Sequence, residues 1–320
     1  MLITLLLFLV SAVTIYLACE YFVNGIEWTG HHFKFSQSAT GSLLAALGTA
    51  LPECIVTLTA QQEIGIGAAL GGPLVLATIG YAAVGLTLLL CMGRTERAID
   101  GEVQREIGRD QRWFIGIFLV ATALGLVAFT GKSWLAPLFL LVYLVYVRRE
   151  LKQSDSHEVE LPEPLKLAPD AGIPPLGKVL LQTLGALVVV ALAAQLFVHQ
   201  LESVGELFGL SPVLAALLLS PVATEMPELM NVLIWVRQGK NRLALANISG
   251  AMMIQGTIPK AFCLLFTPWL LDGAMMASSL VTLLAVGLLW WGFRKGTMTA
   301  GRLALVGLLY LGFCGWLLMS

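Results

Sequence analysis

The sequence predicts an all-α integral membrane protein of about ten transmembrane helices, arranged as two inverted five-helix repeats. Three observations carry that expectation. Of 320 residues, 58% are hydrophobic and only 12% charged, with a mean hydropathy of +0.84. Soluble domains carry about 25% charged residues, so this chain cannot cover a water-facing surface and lipid is its solvent. Apolar stretches able to cross roughly 30 Å of hydrocarbon recur about ten times. Residues 17–53 align without a gap on residues 192–228.

In order, the segments are 2–26, 37–60, 64–92, 113–130, 132–148, 177–201, 211–236, 242–265, 268–292 and 301–319. The first has no Lys or Arg ahead of its apolar run and reads as a retained helix rather than a cleaved leader. The third and eighth are Gly-rich (Gly65, Gly67, Gly71, Gly72; Gly250, Gly256) and carry Pro73 or Pro259, so both are expected to be broken. Connections are short except 93–112 and 149–176. The latter is rich in proline and charge and reads as a cytoplasmic linker between a first repeat, 1–148, and a second, 177–320.

With the amino terminus outside, 17 of the 19 Lys and Arg fall at inner loops, leaving Lys132 and Lys260 elsewhere. The positive-inside rule then predicts a multi-pass protein of the plasma (inner) membrane with both termini outside. Lys260 lies near the outer end of its segment and is expected to snorkel to the interface. Glu20, Glu27 and Glu202 fall near helix ends and are expected to reach interfacial water, and His31 and His32 to lie solvated in a loop. Cys19, Cys54, Cys91, Cys263 and Cys314 sit in apolar runs as small embedded residues. A net charge of −1 gives nucleic acid no footing, and the sequence leaves the oligomeric state open.

The repeat holds more than apolar coincidence. At a constant offset of 175 residues it pairs Glu27 with Glu202, Gly30 with Gly205, Ser36 with Ser211, Thr49 with Thr224, Pro52 with Pro227 and Glu53 with Glu228. Five spans per half invert the second half relative to the first, the construction of many secondary transporters, whose sites lie near the midplane where corresponding helices meet.

The shared element is Thr49-Ala50-Leu51-Pro52-Glu53, matched by Thr224-Glu225-Met226-Pro227-Glu228. Each proline removes a backbone donor, leaving carbonyls near Gly48, Thr49, Ala223 and Thr224 available, so Pro52 and Pro227 are candidate helix breaks. A carboxylate at that depth costs at least about 2.5–3.5 kcal/mol and is expected to face a partner or a water-filled cavity. Glu53 and Glu228, brought together at the centre, repel unless a cation or proton lies between them. Carboxylates, hydroxyls and carbonyls form an all-oxygen set suited to hard cations such as Ca²⁺ and Na⁺, with no His or Cys ligands nearby to suggest zinc or copper. Downstream, Asn247, Ser249 and Gln255 offer further oxygens or, equally, interhelical hydrogen bonds.

Gly48-Thr49-Ala50-Leu51-Pro52-Glu53 and Ala223-Thr224-Glu225-Met226-Pro227-Glu228-Leu229, each followed by a Gly-rich element, resemble the alpha-repeats of the cation/calcium exchanger superfamily, the prokaryotic sodium/calcium exchangers. The resemblance implies that Glu53 and Glu228 are the central metal-ion ligands, that Thr49 and Thr224 add hydroxyl and carbonyl oxygens, and that the first and sixth helices slide as a gate. The chain departs from the pattern in three ways. Ala68, Pro73 and Leu76 stand where the family carries asparagines, and the first-half connection is about four residues shorter. In the second half Asn247 is kept and Gln255 takes the place of Asn or Asp. Glu225 replaces a serine and adds a third carboxylate.

The reading is therefore a secondary antiporter, not an enzyme, exchanging Ca²⁺ or a related divalent cation for Na⁺ or H⁺ across the lipid bilayer. The candidate ion-binding residues are Glu53, Glu228, Thr49, Thr224, Glu225, Asn247 and Gln255. The ions are cargo and no cofactor is expected. The alternative keeps the fold but makes the chain a non-transporting or regulatory ion-binding protein. An intramembrane enzyme fits poorly, since GxSxG, HExxH and paired-Asp motifs are missing from the sequence.

Overall fold

The computed structural model describes residues 2–50, 54, 62–93, 97–153, 161–207 and 219–319. Among these residues every regular element is helical. Grouped by continuity, α1 is Leu2–His32. α2 starts at Gln37, winds as a π-helix over Thr40–Ala45 and is α-helical again over 46–50. α3 comprises Gln62–Val75, a π segment Leu76–Gly80, and Tyr81–Cys91. α4 is Gly101–Leu126, α5 is Ala136–Gln153 after a 3₁₀ turn at Lys132–Leu135, and α6 is Leu176–Leu207. α7 is Ser220–Thr224 and Met226–Arg237, α8 Asn241–Phe266, α9 Gly273–Arg294, and α10 Ala300–Val306 with Leu308–Met319.

Six of these helices are long and apolar enough to cross a membrane: α1, α3, α6, α8, α9 and α10. Their packing separates a centre from a periphery. In the most apolar stretch of α8, 83% of residues are buried, and in α3 67%, against 22% in α1 and 28% in α6. α8 therefore runs through the protein core, while α1 and α6 turn much of their surface outward.

α1 and α6 lie antiparallel. Phe8 stacks on Phe197 at 4.7 Å near one end, and Gly25 meets Thr183 near the other. Residues 161–175 form a strap sewn onto this pair. Asn24 Nδ2 donates to the carbonyls of Glu163 (3.2 Å) and Pro164 (3.3 Å), while its Oδ1 accepts from Lys166 N (3.0 Å) and Gln182 Nε2 (2.9 Å). Trp28 Nε1 adds a bond to Glu163 O at 2.8 Å, and Leu165 of the strap is fully buried in a cluster with Trp28 and Val179.

Several boundaries differ from the sequence expectation. α1 runs on past residue 26 because Ile26, Trp28 and Thr29 are buried and continue its packed face. His31 and His32 thus end a helix, with His32 Nε2 2.9 Å from Pro174 O, rather than lying solvated. The stretch 93–112 is not all loop, since α4 begins at Gly101, capped by Asp100, whose Oδ1 accepts from Glu102 N at 2.6 Å. α8 is continuous through Pro259, whereas α3 changes to π winding shortly after Pro73. Glu27 does not reach interfacial water: its carboxylate is buried, accepting from Trp235 Nε1 at 2.8 Å and from Lys240 Nζ at 2.7 Å. Lys260 does not snorkel and is fully buried.

Two crossings depend on missing side chains. A Cβ on Gly250 would strike the backbone of Ser42, and one on Gly41 would come within 2.7 Å of Leu243 O, so α8 and α2 touch backbone to backbone. Likewise a Cβ on Gly71 would come within 2.7 Å of the Pro221 ring, fixing α3 against α7.

Candidate functional site

α7 is interrupted at Glu225, two residues before Pro227. Proline has no N–H with which to reach Ala223 O, so the α pattern cannot pass smoothly through this point. Thr224 closes the segment before the break; beyond it Glu228, Asn231 and Trp235 succeed one another at spacings of three and four residues and therefore share one helix face. Glu225 is 0% exposed, Glu228 1% and Asn231 0%. Thr224 is half-buried and its hydroxyl donates to Pro221 O at 3.1 Å.

α8 supplies the facing groups. Gln255 is buried and its Nε2 donates to Glu225 Oε1 at 2.7 Å. Asn247 is 0% exposed. Among the described residues neither amide atom of Asn247, nor either of Asn231, meets a hydrogen-bond partner. Asn24 of α1, with all four of its bonds made, shows what a buried asparagine ordinarily requires. Two buried side-chain amides, unpaired among the described residues and carried on the same two helices as the Gln255–Glu225 contact, fit a hydrated or ionic guest, since each unmet polar group otherwise costs about 1–3 kcal/mol.

α1 borders the same region. Cys19 Sγ lies 3.7 Å from Pro227 O, and Glu27 meets Trp235 at the same offset of 208 residues, so α1 and α7 run parallel here. The Cys19 thiol thus borders the site but is turned to a backbone carbonyl. In α2, Thr49 is buried and donates to Ala45 O at 3.1 Å. Pro52 and Glu53 lie outside the described residues, so the approach of Glu53 to Glu228 is not among the observed contacts. The first-half departures are plain in the structure: Leu76 is fully buried and apolar at the opening of the π segment of α3.

Ser249 belongs to a different cluster. Its hydroxyl donates to Asp110 Oδ2 at 3.2 Å, and Asp110 Oδ1 pairs with Arg149 Nη2 at 3.2 Å. Glu150 Oε2 accepts from Ser38 (3.4 Å) and Ser42 (3.5 Å) of α2. Asp110 and Glu150 flank the apolar stretches of α4 and α5, at residues their sequence neighbours mark as loop, yet both are buried. Burial pushes the Asp110 carboxyl up to about 8, with the facing Glu150 carboxylate adding to it and Arg149 and Arg109 opposing.

The sodium/calcium exchanger protein family profile matches residues 3–150 and 178–319. The chain belongs to that family. It is 26% identical over 264 residues to inner membrane protein YrbG of Escherichia coli K12, covering 78% of this chain and 76% of YrbG. It is 25% identical over 309 residues to the putative antiporter CaxA of Alkalimonas amylolytica, covering 89% and 90%. Its fold matches the sodium-calcium exchanger NCX_Mj soaked without Na⁺ and Ca²⁺, with a TM-score of 0.74 over 97% of this chain and 98% of that one at 20% identity.

A sodium/calcium exchanger is a transporter, so multi-pass membrane residence and cation antiport follow as classes for this chain. Two features of the region escaped the sequence reading. Asn231 has no repeat counterpart, its partner position being Val56, and it is embedded in an apolar run. Cys19 enters only because α1 packs parallel to α7.

Proposed function

We propose that the chain exchanges Ca²⁺ or a related divalent cation for Na⁺ or H⁺ by alternating access. The ion passes among Glu228, Glu225, Gln255, Asn247, Asn231 and Thr224 of the second half and Glu53 and Thr49 of the first. The observation that carries the reading is the pair of buried acidic side chains at the α7 break, Glu225 and Glu228, with Gln255 donating to Glu225 at 2.7 Å from the neighbouring helix. Such groups deep in a membrane protein serve an ion path far more often than they serve stability.

Each residue has a task in this reading. Glu228 supplies the central charge. Glu225 supplies a second charge or a proton acceptor, which makes it the leading candidate for proton coupling. Asn231 and Asn247 supply carbonyl oxygens that replace water around the cation. Pro227 exposes backbone at the break. The second half contributes most of the oxygens, because Ala68, Pro73 and Leu76 bring no oxygen-bearing side chain from the first. No resident cofactor is proposed.

The architecture proposed is ten spans in two inverted repeats, 1–148 and 177–320, joined by the linker 149–176, with both termini outside. Its support is the pairing of Gly71 with Gly250. These two become counterparts once the 175-residue offset is widened by the four-residue difference in connection, and each seats its helix on the Pro-Glu-bearing helix of the other half.

The test is ⁴⁵Ca²⁺ uptake into proteoliposomes, first loaded with Na⁺ at symmetric pH and then with a pH gradient and no Na⁺. Uptake in either condition that is abolished in folded Glu228→Gln supports the reading. Full transport by Glu228→Gln refutes the site, and no flux under either gradient favours the regulatory alternative.

A further inference from the structure

α4 and α9 form a groove on the outside of the protein. The two helices run antiparallel: Gly125 of α4 meets Leu271, just ahead of α9, and a Cβ on Gly108 would come 3.2 Å from Phe293 Cβ. Between these two contacts lies an apolar groove of about 660 Å³, lined by Ile115 and Leu119 of α4 and by Leu283, Gly287, Trp290 and Trp291 of α9. Leu119 is 54% exposed and Trp291 52%, and a Cβ on Gly287 would meet nothing within 4 Å. The groove is therefore open to the hydrocarbon.

Three cations stand at one end of it. The Arg294 guanidinium lies 5.2 Å from the Trp290 ring centroid, and Lys295 Nζ lies 4.2 Å from that of Trp291. Arg112 precedes Ile115 by three residues and Leu119 by seven, which places it on the groove face of α4 at the same end. All three residues are exposed, and among the described residues none of them forms an ion pair. The sequence near them supplies no counter-charge. It has no Asp or Glu from residue 273 to 320, and the residues three and four places from Arg112 are Gly108, Arg109, Ile115 and Gly116. The helix dipole accounts for Arg294 and Lys295 at the carboxyl end of α9, but not for Arg112 in the interior of α4. Cations above an apolar slot, with indole rings at the level between them, complement a molecule with a negative headgroup and an acyl chain.

We propose that the α4–α9 groove binds an anionic phospholipid, with its phosphate among Arg112, Arg294 and Lys295 and an acyl chain along Ile115, Leu119 and Gly287. The inference goes beyond the antiport reading and does not depend on it. A zwitterionic lipid fits the same slot, but its own ammonium meets three charges of like sign, so the cations select the anionic class. In the orientation proposed above, the site opens to the cytoplasmic leaflet, whose negative surface is the one that juxtamembrane basic residues engage.

The experiment counts lipids retained by the purified full-length protein in dodecyl maltoside micelles, supplied with equimolar phosphatidylglycerol and phosphatidylcholine of matched chains and read by native mass spectrometry. Wild type is expected to retain phosphatidylglycerol in preference. Arg112→Gln, Arg294→Gln and Lys295→Gln should each weaken that preference roughly fivefold, and the triple variant roughly 100-fold. Arg148→Gln with Lys152→Gln, exposed cations at the end of α5, should leave it unchanged. Gly287→Phe, which enters open space, should lower retention of both lipids. Equal retention of the two lipids by wild type overturns the proposal, and so does a triple variant that keeps the wild-type preference. It also falls if the α5 variant loses the preference as fully as the triple variant, because the charge then acts without a site. Should the triple variant fail to fold, the single variants and Gly287→Phe decide, and wild-type retention in all of them overturns the proposal. A dimer in the spectrum that Gly287→Phe abolishes would assign the groove to a second copy of the chain and refute the lipid.

Discussion

Replacing Gln255 with leucine tests how α8 and α7 cooperate at the break. The substitution keeps volume and helix propensity close to the original but deletes the donor that holds Glu225 Oε1 at 2.7 Å. Both side chains are buried, at 1% and 0% exposure, so water does not replace the bond. A hydrogen bond to a charged group contributes about 1.5–3 kcal/mol, and one between neutral groups about 0.5–1.5 kcal/mol. At 1.4 kcal/mol per decade, the first range is roughly a 10- to 150-fold loss of apparent cation affinity, and the second roughly 2- to 10-fold. The size of the loss therefore reports whether Glu225 is ionised in the resting site. The assay is the half-saturating Ca²⁺ concentration for uptake into proteoliposomes at fixed pH, with thermal stability checked on the same preparation. If Gln255→Leu is folded and its half-saturation and maximal rate match wild type within twofold, the Gln255–Glu225 pair is not in the ion path.

Three further outcomes are expected. Gly250→Ala forces a methyl into the Ser42 backbone and should cost about 1–3 kcal/mol or more, seen as loss of monodisperse protein on size exclusion, whereas Gly67→Ala, with open space at its Cβ, should be neutral or slightly stabilising. Lys240→Met leaves the buried Glu27 carboxylate with Trp235 alone. Because Lys240 keeps 22% side-chain exposure, the cost should be about 2 kcal/mol rather than the 3–5 of a fully buried pair, read as a melting point several degrees lower. Asp110→Asn should flatten the pH dependence of stability. Below about 4 the carboxyl is protonated in both folded and unfolded chains. From there up to about 8 the folded protein keeps a proton that the unfolded chain releases, so stability falls with rising pH, and it levels off once Asp110 ionises. The gap in melting point between Asp110→Asn and wild type should widen from pH 5 to pH 8, and parallel curves would contradict the burial argument.

The helical class and the position of the α7 break were legible from the sequence, because apolar runs and a proline act locally. Thr224, Pro227 and Glu228 stood out through their repeat partners. Gln255 was recognisable as a polar residue in an apolar helix, though not as the donor to Glu225, since that pairing depends on how two helices are rotated. Long-range packing accounts for what was missed. Lys260 near a helix end reads as a residue with a short reach to water, whereas packing sets its ammonium on Ala69 O near the rings of Phe118 and Trp269. Asp110 sits in a charged stretch that reads as loop until α5 and α8 close over it. Glu27 reads as an interfacial residue because nothing local announces Trp235 and Lys240 as its partners.

The strap over α1 and α6 has a consequence for how the protein comes apart. Asn24 alone joins two carbonyls of the strap, one strap amide and Gln182 of α6. Elements so joined do not open one at a time. In native-state hydrogen exchange the amides of α1, the first turns of α6 and residues 163–167 should therefore exchange with a common opening free energy, as one foldon. A lesion at Asn24 should lower protection in all three together, although they are distant in sequence.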